Sequence, residues 1–65
     1  MHEDRELGRE EIQVENKKFV FRLMVNKRGK FLRVTESRDN QTNTICIPLS
    51  GVRDVGGLIT KFQGG

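Results

Sequence analysis

Residues 18–34, KFVFRLMVNKRGKFLRV, place two alternating runs on either side of one short polar break. Alternation with a period of two marks a strand with two unlike faces. The aromatic and β-branched content suits a pleated surface. In 18–25, Phe19, Phe21, Leu23 and Val25 share one face, and Lys18, Val20, Arg22 and Met24 the other. In 30–37, Leu32 and Val34 make one face and Phe31, Arg33 and Thr35 the opposite one. Between the runs, NKRG (26–29) reads as a turn: Asn26 starts it, and Gly29 is free to take positive φ. A chain built round this hairpin is committed to antiparallel sheet.

The remaining segments extend that sheet and then change period. REEIQVEN (9–16) alternates, with Ile12 and Val14 on one side, and reads as a strand preceded by a flexible tail over 1–8. RDNQTN (38–43) is six polar turn-formers and reads as a loop. TICIP (44–48) is a fourth strand ended by Pro48. In SGVRDVGGLITKF (50–62), Val52, Val55, Ile59 and Phe62 recur at helical spacing. Ser50 is the expected N-cap, Asp54 and Lys61 suit the macrodipole, and Gly64 can end the helix. Gly56 and Gly57 oppose it by roughly 1 kcal/mol each; close approach to another backbone would account for them. The expected fold is α+β: a four-stranded antiparallel sheet followed by one C-terminal helix, ββββα, over residues 9–63.

Such a chain has little to close its core with. At 65 residues it forms one domain at most, and domains this short are marginal unless stapled or associated. Cys46 is the only cysteine and His2 the only histidine, so neither an intrachain disulfide nor a zinc site is expected. Association remains, and a homodimer is expected. No apolar run approaches the ~20 residues of a membrane span, and MHEDRELGREE has no apolar signal-peptide core. An intracellular location is expected, cytoplasmic or, in a eukaryote, also nuclear.

Charge is segregated along the chain. Glu3, Asp4, Glu6, Glu10, Glu11 and Glu15 lie ahead of residue 16, whereas 17–33 hold Lys17, Lys18, Arg22, Lys27, Arg28, Lys30 and Arg33 with no acid. A basic block in an ordered, apolar-rich segment points to a polyanion. One helix can cover one sheet face, and the richer apolar face should receive it. The other face, with Gln13, Lys18, Val20, Arg22, Met24, Phe31 and Arg33, is expected to stay open. Cations mixed with flat apolar groups suit single-stranded nucleic acid, whose bases stack and whose phosphates need neutralising. Burial of Phe31, Met24 and Val20 against a partner chain is the competing explanation.

The stretch NKKFVFRLMVNKRGKFLRVTES (16–37) resembles the PUR repeat of the Pur-alpha family of single-stranded nucleic-acid-binding proteins. The matching positions are Lys17, Lys18, Phe19, Asn26, Arg28, Gly29, Lys30, Phe31, Leu32, Arg33, Val34 and Glu36, and the likeness runs from residue 12 to 62 in the order of elements. The resemblance implies two intertwined ββββα repeats, here a homodimer in which Val52, Val55, Ile59 and Phe62 pack on the partner. It also implies purine-rich single-stranded DNA or RNA as ligand, in transcription or RNA regulation, with Lys18, Asn26, Lys27, Arg28, Lys30, Phe31 and Arg33 as contacts, to which the open face adds Arg22. Position 30 departs from the repeat in being Lys where Arg is usual, which loses the planar fork. Val20, Met24 and Val25 stand where the repeat is often aromatic or polar, and Val20 and Met24 make the open face more apolar than the repeat's.

Two other readings share these residues: a coactivator-like or whirly-type single-strand binder of the same architecture, and a homodimeric protein-interaction module whose cations only keep it soluble. Catalysis is not expected. Cys46 sits between Ile45 and Ile47 with no activating partner in sequence, which suggests an inert strand cysteine, and Gly56–Gly57 lacks the lysine and spacing of a phosphate loop. No cofactor and no small-molecule substrate are implied.

Overall fold

A computed structural model describes residues 3–64; His2 lies outside them. Four strands, β1 (Arg5–Val14), β2 (Lys17–Asn26), β3 (Gly29–Arg38) and β4 (Gln41–Pro48), form one antiparallel sheet in chain order. One helix, α1 (Leu49–Gly64), follows. The ββββα architecture expected from the sequence is the one observed.

Two boundaries differ from expectation. Residues 5–8, read as tail, belong to β1, where the pairing shifts register between Glu6 and Gly8. That bulge inserts an extra residue and breaks the alternation by which a strand is recognised. Residues 38 and 41–43, read as loop, are paired strand, and only Asp39 and Asn40 connect β3 to β4. Thr42, Asn43 and Thr44 lie opposite Ser37, Glu36 and Thr35, so this end of the sheet is polar on both faces and its strands read as loop. A hydroxyl hydrogen bond of 3.3 Å joins Thr35 to Thr44 across it.

All three hairpins turn on two residues. Gly29 has φ of 126° after the Lys27–Arg28 turn, and Asp39 has φ of 54°. Glu15 takes φ of 57°, a conformation that costs a residue with a long side chain roughly 1–2 kcal/mol. Glycine takes it freely but loses more entropy on folding. Glu15→Gly is expected to raise stability by about 0.5–1 kcal/mol net, read as a higher urea midpoint at unchanged slope.

Strand register divides the sheet into two unlike faces. The apolar face carries Ile12 and Val14 of β1, Phe19, Phe21, Leu23 and Val25 of β2, Leu32 and Val34 of β3, and Ile45 and Ile47 of β4. The helix was expected to cover this face, but it approaches only β3 and β4. The junction explains the shortfall. Helix α1 begins at Leu49, the residue after the last of β4, so no linker exists to swing it back across the sheet. For the same reason Ser50 lies inside the first helical turn and not at the N-cap, and Asp54 falls beyond that turn, which holds no acid, while Lys61 takes its expected place in the last turn.

An apolar groove of about 330 Å³ therefore lies between Phe19, Phe21, Leu32, Val34, Ile45 and Ile47 of the sheet and Val52, Val55 and Ile59 of the helix. Toward its end the apolar stripe is bare: Ile59, at the groove's edge, is 64% exposed, and Phe62, beyond it, 82%. Ile12 and Val14, at the far edge of the sheet, are exposed as well. The radius of gyration is 13.2 Å, against about 11 Å for a compact domain of this length.

Helix α1 retains both glycines, and a methyl at either Gly56 or Gly57 would meet nothing within 4 Å in the protomer. Close approach within one chain does not account for them. Gly56 borders the apolar groove and Gly57 does not. Gly57→Ala is expected to stabilise the protein by up to about 1 kcal/mol, read as a raised thermal midpoint with unchanged oligomeric state.

Candidate nucleic-acid interface

The second face, which carries most of the paired charges, was expected to be open across its middle. Instead its centre is the most buried part of the protomer. Val20 is 7% and Met24 5% exposed, and they are the only buried residues among those described. Both sit on β2, flanked on each side by another strand. Val20 lies between Glu11 and Thr35, and Met24 between Glu6 and Phe31. Val20 and Met24 are thus support beneath the charged surface, and no partner chain is needed to bury them.

The β2–β3 turn builds a cleft of about 360 Å³ on this face, lined by Asp4, Asn26, Arg28, Gly29, Phe31, Arg33, Cys46 and Pro48. Asn26 organises it. Its side-chain oxygen accepts a 2.9 Å hydrogen bond from the backbone N–H of Arg28, which fixes the turn. Its amide donates to Asp4 Oδ1 at 3.1 Å. Strand parity then aims Phe31 and Arg33 to the same side, two residues apart. The Arg33 guanidinium carbon stands 5.6 Å from the centre of the Phe31 ring, within cation–π range. An aromatic surface, a guanidinium and a turn amide converge on one concave site open to solvent.

Of the eight expected contact residues, the cleft gathers Asn26, Arg28, Phe31 and Arg33. Lys18 and Arg22 share the face but lie farther along β2, where Lys18 pairs with Glu11 at 3.4 Å and Arg22 with Glu6 at 3.4 Å. Lys27 is in the turn itself. Lys30 stands opposite Val25 and so belongs to the apolar face, the other side from Phe31. Cys46, expected to be inert between two isoleucines, is exposed and lines the cleft, because its neighbours Ile45 and Ile47 face the other way.

Two residues on this face escape a reading by composition. Arg9 lies opposite Arg22, which itself lies opposite Arg33, and Asp4 reaches the cleft from just before β1. Neither stands out in an acidic stretch, and only the strand register brings them into the site.

At the other end of the sheet Lys17, Glu36, Arg38, Gln41 and Asn43 line a smaller polar hollow. Both of its cations already have acidic partners, and Arg38 Nε lies 3.8 Å from Asp39 Oδ2. Lys17 Nζ is 2.8 Å from Glu36, and that ammonium, helped by a hydrogen bond from Asn43, holds the Glu36 carboxyl below its ordinary range.

Residues 2–64 match the family described as PurA ssDNA and RNA-binding protein. The chain belongs to the PurA family. Among its relatives, Transcription factor Pur-alpha 1 of Arabidopsis thaliana is 41% identical over 49 residues, 75% of this chain and 17% of that protein. Transcriptional regulator protein Pur-beta-A of Xenopus laevis is 37% identical over 52 residues, covering 80% of this chain and 16% of its own length. Transcriptional regulator protein Pur-beta of Danio rerio is 37% identical over 51 residues, 78% of this chain and 17% of the relative. The chain thus spans about a sixth of the length of these PurA relatives. Among the described residues, no helix is long and apolar enough to cross a membrane.

Proposed function

We propose that this PurA-family chain binds single-stranded DNA or RNA through its charged face, with a preference for purine-rich strands, and serves transcription or RNA regulation inside the cell as a homodimer. The observation that carries the reading is the cleft at the β2–β3 turn, where Phe31, Arg33, Asn26 and Arg28 converge on one solvent-open site. Phe31 offers an unstacked base a π-face, Arg33 and Arg28 offer phosphates their guanidinium groups, and Asn26 offers a base edge an amide. The homodimer rests on the apolar groove, walled on the helix side by Val52, Val55 and Ile59, and on the exposed Ile59 and Phe62, which a second copy's equivalent surface would cover. Lys18 and Arg22 add positive charge along this face and Lys27 adds it at the turn, while Lys30 contributes from the opposite face at the turn's edge.

Fluorescence anisotropy with a purine-rich single-stranded oligonucleotide of about twelve nucleotides tests the reading. Affinity should fall as salt rises, with a log–log slope near −0.7 for each phosphate neutralised. A pyrimidine-rich strand of equal length should bind more weakly. No binding at low salt would end the proposal.

A further inference from the structure

Strand register puts Arg9, Arg22 and Arg33 in one row across β1, β2 and β3 on the charged face. Like charges directly opposite each other weaken an antiparallel pair, and this row holds two such pairs on strands about 4.8 Å apart. The chain supplies its own counterions. Glu11 Oε2 is 3.2 Å from Arg9 Nη2, Glu6 Oε1 is 3.4 Å from Arg22 Nε, and Asp4 Oδ2 is 3.2 Å from Arg33 Nη2. All three acids come from β1 or the residue before it. Asp4 goes furthest, crossing β2 to reach Arg33 on β3 and also taking the Asn26 amide. Two of the polar groups in the cleft are thereby engaged by one carboxylate.

We infer that Asp4 and Glu6 are built-in competitors for the phosphates of a bound strand: carboxylates seated on an arginine row that a phosphodiester backbone takes over, and that thereby set the affinity of the site. This rests on the nucleic-acid reading above. Carboxylate and phosphate satisfy the same guanidinium donors, so binding is an exchange of anions. The exchange is easy because the carboxylates are exposed, Asp4 at 36% and Glu6 at 42%, against half-buried Arg33 and Arg22, and solvent-exposed ion pairs hold weakly. A strand must displace these carboxylates before its phosphates reach Arg22 and Arg33, and that lowers its apparent affinity.

The test compares the double variant Asp4→Asn/Glu6→Gln with Glu3→Gln/Glu15→Gln, which removes the same charge away from the row. Binding of the purine-rich oligonucleotide is measured at low salt. The first variant should bind about tenfold more tightly than the unmodified chain, the second no more than about threefold, and Asp4→Asn alone about threefold. In an Arg33→Ala background the gain from Asp4→Asn should vanish. Equal gains in both double variants, or a loss in the first, would overturn the inference and leave the nucleic-acid reading standing. Absence of binding by the unmodified chain would overturn both. Should the double variant not fold, Asp4→Asn with and without Arg33→Ala decides the question.

Discussion

Phe31→Ala should weaken single-stranded oligonucleotide binding by roughly five- to 150-fold with its salt dependence unchanged. The range follows from the ~1–3 kcal/mol that one base–aromatic stack contributes. The salt slope should hold because the ring neutralises no phosphate. The position suits a large effect. Phe31 is half-buried between Met24 and Pro48, so its ring is held in place without being covered, and Arg33 beside it extends the platform. Arg33→Ala should behave differently, lowering affinity and flattening the log–log slope by about 0.7, the contribution of one phosphate on a single strand. If both variants flatten the slope equally, the division between stacking and charge is wrong. Anisotropy titrations at four or five salt concentrations distinguish these outcomes.

Ile59→Asp should convert the proposed dimer of 7.5 kDa chains into poorly folded monomer. Ile59 borders the apolar groove yet is 64% exposed. In a dimer that covers the groove, the change would bury a carboxylate with no partner, which costs several kcal/mol. A small domain has only a few kcal/mol to lose. Arg53→Asp, on an exposed part of the same helix, removes a cation and adds an acid without entering the groove, and should leave the mass unchanged. Sedimentation equilibrium at micromolar concentration measures both. The unmodified chain sedimenting as a single copy would defeat the homodimer proposal outright.

Much of the fold was legible because β2 and β3 alternate cleanly and their turn carries both Asn26 and Gly29. Helix α1 was legible from Val52, Val55, Ile59 and Phe62 despite its two glycines. The start of β1 was not, because a bulge at Leu7 interrupts the pattern. The start of β4 was not, because Thr42 and Asn43 are polar on a part of the sheet that is wet on both sides. Within the site, parity alone aligned Phe31 with Arg33. It could not place Arg9 opposite Arg22 or bring Asp4 to Arg33, since those neighbours depend on the β1–β2 register and its bulge. Lys30 stands next to Phe31 in sequence and across the sheet from it in space, so a basic run is a poor guide to which cations share a surface.

The simple strand order has a kinetic consequence. Each strand pairs with the one before it through a two-residue turn, so the sheet closes by short loops whose entropy cost is small. Hairpins of this kind form in about 1–10 μs. Helix α1 gains little from that step, because its stripe finds only β3 and β4 to rest on. Refolding should therefore divide in two: a fast phase independent of protein concentration, in which the sheet forms, and a slower one that accelerates with concentration, in which α1 meets a second chain.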